Sequence, residues 1–362
     1  MLGITHSPAR AGIAEFALSA PLLFLSLPAG ALVDRWSRKR LLITCDASRC
    51  LAYTSLVVAL SFGVVHYLHV LAVVFVDGCG LVFFSVAERS ALRYVVGDKQ
   101  LPTALARNQS RTFGALLAGT PLGGLLYSVG RLAPFVFDAV SYAVLVLTLS
   151  RLRARLEPER TATPRRLVRE VREGVAWFWR QPFVRTTSLL AAGSDLTANA
   201  LFLVVIVLER ERGASPALIG AVFAFLGLGG LLGSLVAPRL SERLPTRVVV
   251  RALPCLQTAL LPLLFVPGRI APGIVYGAMF LVTPTWGAVV ASQRIRLTPD
   301  ELVGRVQSVA TLLALGAVPL GFLVVGFALQ SFGTTPTLLA LIGLMLVVAA
   351  VAFVSPAIRS AP

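Results

Sequence analysis

Asp77 sits in the middle of an apolar run, VVFVDGCGLVFF at 73–84, and Asp195 sits in another, LLAAGSDLTANALFL at 189–203. Asn199 follows Asp195 by one helical turn and shares its face. A carboxylate among apolar neighbours has lost its hydration, which disfavours its charged form. Such a group exchanges protons or faces a cation. Asp77 is therefore read as a proton or cation site, and Asp195 with Asn199 as a second. The plainer alternative for both is a hydrogen bond tying two helices together. A third acid, Asp46, precedes Arg49 by three residues, a spacing that makes a structural i,i+3 ion pair the simplest account.

A different chemistry is written in GALVDRWSRKR, residues 30–40. Gly30 lets two helices approach closely. Asp34 can pair with a base or cap a helix N-terminus. Arg35, Arg38, Lys39 and Arg40 can pair with acids or lipid phosphate. Contacts of this kind can form in one conformation and break in another, so the stretch is read as a gating loop. Anchoring by positive charge alone would explain the four cations, but neither Asp34 nor Gly30.

These residues need elements to hold them. The chain is 56% hydrophobic and only 14% charged, against about 25% charged in a water-soluble domain. The apolar residues gather into runs of about 20, the length that crosses hydrocarbon as a helix. Eleven spans are predicted: 11–33, 41–65, 70–86, 112–129, 133–149, 183–208, 216–237, 248–266, 272–291, 306–329 and 337–354. The fold class is thus all-α and polytopic, with the lipid bilayer as its solvent. The first span is too long for a signal peptide and no basic region precedes it.

The net charge of +16 does not mean nucleic acid, because of where it lies. Of the 33 Lys and Arg, only Arg10, Arg131, Arg210, Arg212 and Arg269 fall in one set of alternate loops, and Arg49 falls inside a span. The rest crowd into the other loops and the C-terminal tail. By the positive-inside rule those loops are cytoplasmic, and so is the C-terminus. The longest polar stretch, 150–185, lies at the centre of the chain. Within it Leu167, Val171, Val175 and Phe178 recur at helical spacing. That predicts an amphipathic surface helix with Trp177 and Trp179 at headgroup depth. Three domains follow: a bundle at 1–150, a basic linker at 151–182 and a second bundle at 183–362. The two bundles echo each other. RNQS at 107–110 returns as RVQS at 305–308, PLG at 121–123 returns at 319–321 with the same separation, and GALV at 30–33 returns as GSLV at 233–236.

The four cysteines lie in apolar runs and form no CxxC pair, so neither a disulfide nor a metal is expected. His66-x-x-His69 lacks a third ligand and reads as interfacial. There is no GxxxxGK[ST] loop and no catalytic constellation, so neither direct use of ATP nor enzyme activity is expected, and no cofactor. In the ninth span Met279, Thr283, Thr285 and Trp286 are cavity candidates: apolar, with a few polar handles. Core packing explains them almost as well.

GALVDRWSRKR resembles the signature loop of the major facilitator superfamily, Gly-x-Leu-x-Asp-Arg-x-Gly-Arg-Lys/Arg-Arg, through Gly30, Leu32, Asp34, Arg35, Arg38, Lys39 and Arg40. Ser37 stands where the family usually has Gly. AGTPLGGLL at 118–126, FDAVSYA at 137–143 and RLTPDELVGRVQSV at 296–309 resemble the superfamily's bacterial drug and siderophore exporters, the enterobactin exporter and macrolide efflux group. The resemblance implies two pseudo-symmetric helical bundles and places Asp77 and Asp195 on cavity-lining helices. It gives Asp138 a structural part. THSPARAGIAEF at 5–16 resembles the loop leading into the family's second helix, so the family's first helix is expected to be missing from this chain. The function it implies is proton-coupled secondary export of amphipathic small molecules, by a monomer in a bacterial cytoplasmic membrane. The alternatives are an importer of the same fold, or a truncated membrane protein inactive in transport.

Overall fold

The computed structural model describes residues 7–33, 36–95, 101–151, 167–268, 270–299 and 302–360. Asp34 and Arg35 of the gating loop lie outside the described residues, as do the first residues of THSPARAGIAEF. The described residues form thirteen helices: α1 (Pro8–Val33), α2 (Arg38–Ser61), α3 (Tyr67–Val95), α4 (Leu101–Val129), α5 (Ala133–Arg151), α6 (Leu167–Arg180), α7 (Pro182–Glu211), α8 (Pro216–Arg243), α9 (Thr246–Leu260, with a 3-10 turn over Leu261–Phe265), α10 (Ala271–Leu297), α11 (Val303–Phe332), α12 (Thr334–Val354) and the short α13 (Pro356–Arg359). Eleven of them are long and apolar enough to cross a membrane, the number the hydrophobic runs predict.

The starts and stops follow local rules. Ser37, the residue that departs from the superfamily pattern, is the N-cap of α2 and accepts from the Arg40 N–H at 3.5 Å. Ser215 caps α8 ahead of Pro216 in the same way. The second run, expected to reach Val65, stops at Ser61 because Gly63 takes a φ of 69°, a left-handed turn that other residues resist. Gly333, with φ 81°, lets α11 turn into α12 within one residue. The helices run past the hydrocarbon: α4 begins at Leu101, well before Thr112, so RNQS is helical. Hydropathy marks only the greasy length of a helix, so it misses such polar ends.

By packing, the chain divides into two units: residues 1–109 with 126–165, and residues 110–125 with 166–362. In the first, α1 lies along α3, and α2 lies against both α3 and α5. Leu56, Val70 and Val73 form one core there, with Leu41, Leu42, Cys45 and Ala87 forming another. In the second unit, α8 pairs with α10, α7 with α11, and α9 with α10 and α12. The pairings α1·α3, α2·α3 and α2·α5 thus recur as α8·α10, α9·α10 and α9·α12, which is the duplication that the echoed motifs suggest. The α7·α11 pairing has no counterpart among the described residues of the first unit.

Glycines set the closest approaches in the second unit. A Cβ on Gly229 or Gly233 would strike the α10 backbone at Gly277 or Leu281. On another face of α8, a Cβ on Gly220 or Gly227 would strike the 110–125 stretch of α4. Without those methyls the helices come near enough for backbone packing, the main source of association once lipid replaces water.

The predicted surface helix forms as α6. Its Phe178 is fully buried with Val184, Val306 and Ala310, and Arg305 of α11 reaches Glu173 at 2.9 Å. Trp179 is exposed, whereas Trp177 packs against that cluster. The helix is therefore pinned to α11 as well as amphipathic.

Candidate functional site

In α2, Asp46, Arg49 and Tyr53 fall at i, i+3 and i+7, one stripe of the helix. That stripe faces α3 and α5. Arg49 Nε donates to Asp77 Oδ1 at 2.6 Å, and Tyr53 donates its hydroxyl to Asp77 Oδ2 at 2.9 Å. From α5, the Tyr142 hydroxyl reaches Asp77 Oδ1 at 3.4 Å, and its ring lies under the Arg49 guanidinium, 4.6 Å from ring centre to Cζ. Tyr53 and Tyr142 stack on each other at 5.9 Å. Asp138, one turn before Tyr142, is within Coulombic reach of Asp77 and Arg49. The Arg49 and Asp77 side chains keep 9% and 13% of their exposure, so the pair is largely desolvated.

Asp46, expected as the partner of Arg49, is the more distant of its two carboxylates. Arg49 Nη1 lies 3.9 Å from Asp46 Oδ1. Both Asp46 oxygens are buried and neither takes a hydrogen bond among the described residues. The Arg49 guanidinium makes its charge-assisted hydrogen bond to Asp77, through Nε alone. Gly80 makes room for this: a Cβ at that position would lie 2.7 Å from Arg49 Cδ.

Asp195 has a different setting. It is half-buried in α7, with no ion-pair partner among the described residues. Asn199 does not bond its carboxylate. Its Nδ2 donates to the Asp195 main-chain oxygen at 2.8 Å. The cavity candidates are placed as packing residues. Met279 is fully buried, Thr283 donates to the Met279 carbonyl, Thr285 is buried, and Trp286 Nε1 donates to the Val250 carbonyl at 3.2 Å.

The described part of the gating loop ties two helices of the first unit. Lys39 Nζ donates to the Ser150 carbonyl at the end of α5, at 3.0 Å. Trp36 stacks on Phe83 at 6.4 Å. Arg38 is buried and Arg40 exposed. Gly30 lies within α1.

Several residues with roles here are not singled out by sequence reasoning. Tyr53 and Tyr142 are legible only as helical offsets from Arg49 and Asp138. At the far end of α7, Arg212 pairs with the fully buried Glu209 at 3.2 Å and donates to the Leu264 carbonyl at 2.8 Å, while Glu211 accepts from Thr334. This clasp joins α7, the 3-10 turn after α9, and α12. No sequence pattern brings those three places together.

The chain matches the family described as Transmembrane secretion effector over residues 1–361. It belongs to that family of major facilitator transporters. Among curated relatives, the multidrug efflux pump Tap of Mycobacterium tuberculosis (strain ATCC 25618 / H37Rv) is 29% identical over 387 residues, covering 98% of this chain and 86% of that protein. Tap of Mycolicibacterium fortuitum is 28% identical over 377 residues, covering 96% and 88%. Among solved structures, a mutant of the nucleoside transporter NupG has a TM-score of 0.75 at 13% identity, covering 98% of this chain and 93% of that one. A bacterial homolog to the human lysosomal transporter Spinster has a TM-score of 0.68 at 15% identity, over 98% and 90%. At such identities the two structures speak for the fold alone. The chain is thus a multi-pass transporter with the major facilitator architecture, and Asp77, Arg49, Tyr53 and Tyr142 form the charged centre of its first unit.

Proposed function

We propose that this protein is a proton-coupled exporter of amphipathic small molecules, drugs among them, working by alternating access in a bacterial cytoplasmic membrane. In this reading the chain is monomeric, its C-terminus is cytoplasmic, and the 30–40 loop gates the inner side. The observation that carries the reading is the likeness, over nearly the whole chain, to relatives named as multidrug efflux pumps. The site chemistry supports it. A buried acid–base centre with, among the described residues, one cation and several carboxylates suits proton exchange, and Asp195, a half-buried carboxylate with no cation paired to it among those residues, suits a cationic substrate. Alternating access needs elements that bind and release, and the Lys39 tie between α2 and α5 is short-ranged enough to be one.

The test is transport by purified protein in liposomes with an imposed pH gradient. Ethidium is expected to move against its gradient, driven by protons moving the other way. Asp195→Asn is expected to slow ethidium more than it slows a neutral dye. Flux that ignores the pH gradient in every lipid and dye tried would sink proton coupling, and equal slowing of both dyes would remove Asp195 from substrate selection.

A further inference from the structure

The centre around Arg49 has more acid than base. Asp46, Asp77 and Asp138 stand within Coulombic range of a single guanidinium. Among the described residues, the titratable groups that act on Asp46 are Cys45 and Arg49 on its own helix and Tyr142 on α5, and behind these stand Tyr53 on α2, Asp77 and Cys79 on α3 and Asp138 on α5. Arg49 is the one cation among them. It serves Asp77 at 2.6 Å and stands off from Asp46 at 3.9 Å. Asp46 is buried, and neither of its oxygens takes a hydrogen bond among the described residues. An ionised carboxylate so placed is unfavourable, and it is relieved by holding a proton.

We propose that Arg49 is a two-position switch shared by Asp77 and Asp46, and that the carboxylate it leaves holds the proton. The proposal rests on the proton-coupled reading and gives it residues. In the arrangement seen, Arg49 holds ionised Asp77 and Asp46 is neutral. When Asp77 takes up a proton, its hold on Arg49 is lost. Nη1 then closes the remaining gap to Asp46, whose proton leaves. One proton binds at Asp77, one departs from Asp46, and Arg49 stays charged throughout.

Three features fit a moving guanidinium. Gly80 leaves the space beside Arg49 Cδ and Cγ that any other residue would fill. The Tyr142 face lies under the guanidinium and attracts it in the arrangement seen without a directional hydrogen bond to fix it. Asp46 is already within a short step on the same helix. The two carboxylates also differ in depth. Asp77 is bonded by Arg49 and Tyr53, three and seven residues beyond Asp46 along α2, so it sits farther along that helix than Asp46 does. With the start of α2 on the cytoplasmic side, a proton arriving from outside meets Asp77 first and its equivalent leaves inward from Asp46. That is the direction an exporter needs.

Infrared difference spectroscopy of the purified protein in nanodiscs reads the proton directly. At neutral pH, with aspartate labelled by carbon-13 and in an Asp195→Asn background so that the Asp195 carboxyl adds no band, the protein is expected to show a protonated aspartic acid carbonyl band. Asp46→Asn should abolish it. Asp77→Asn should abolish it too, because Arg49 turns to Asp46 and ionises it. Asp138→Asn should keep it. A band that survives Asp46→Asn, or that Asp77→Asn leaves unchanged, overturns the switch. So does the absence of any protonated aspartate in the wild type, an outcome that needs no variant to fold. Liposome flux separates this from the parent reading. Bands that behave as stated in a protein whose flux ignores pH support the switch while removing proton coupling. A pH-driven flux with the wrong bands removes the switch alone.

Discussion

Arg49→Met and Asp77→Asn remove the two ends of the same 2.6 Å contact, yet they should not cost the same. Methionine keeps much of the arginine's volume and discards its charge. Asp77 is then left with two tyrosine hydroxyls and no cation, at 13% exposure. Two unit charges about 4 Å apart attract by about 4 kcal/mol at an effective dielectric of 20, and stranding one partner of a buried pair costs about 3–5 kcal/mol. Asp77→Asn strands Arg49 instead, but Asp46 Oδ1 is waiting 3.9 Å away. The guanidinium can turn to it, so the loss falls to that of a charged hydrogen bond, about 1.5–3 kcal/mol. The double variant should lie well below the sum of the two. The assay is unfolding in mixed detergent–SDS micelles followed by tryptophan fluorescence, run as a double-mutant cycle. Equal single costs would refute the idea that Asp46 is a second seat for Arg49. A cost for Arg49→Met below about 1 kcal/mol would refute the buried pair itself.

Three further outcomes follow from particular contacts. Gly229→Ala places a Cβ against the Gly277 backbone and is expected to destabilise by about 1–3 kcal/mol, whereas Gly119→Ala, with open space around it, should be neutral or slightly stabilising; the same unfolding assay compares them. Arg212→Ala leaves Glu209 buried without its cation and the Leu264 carbonyl without its donor, and should lower thermal stability by about 3 kcal/mol, with Glu209→Gln in the same chain restoring part of it. Lys39→Ala removes the exposed bond to Ser150, and exposed contacts of this kind contribute less than about 1 kcal/mol each, while ethidium flux is expected to fall severalfold; unchanged flux would take Lys39 out of the gate.

Much of this protein is legible in the order of its residues. Eleven apolar runs give eleven spans because a helix is the simplest way for a chain to satisfy its own backbone in lipid. The helix caps at Ser37 and Ser215 and the turns at Gly63 and Gly333 are local, so their residues are readable in place. Asp77 and Asp195 stand out because a carboxylate in hydrocarbon needs a reason. The repeated RNQS/RVQS and PLG motifs announce a duplication, and the helix pairings bear it out.

What the sequence could not settle is which neighbour each charged group chooses. Asp46 and Arg49 are close in the chain, so local spacing favours that pair, yet the tertiary packing of α2 on α3 brings Asp77 nearer and in better alignment. Tyr142 joins from α5, and Gly80 clears the space, through contacts between residues far apart in sequence. The Arg212 clasp arises in the same way, from three places that only folding brings together. Hydrophobicity and capping act along the chain and survive in the order of its residues. Ion-pair choice here turns on 2.6 Å to a neighbouring helix against 3.9 Å along the same one, and the first of these exists only once the helices have packed.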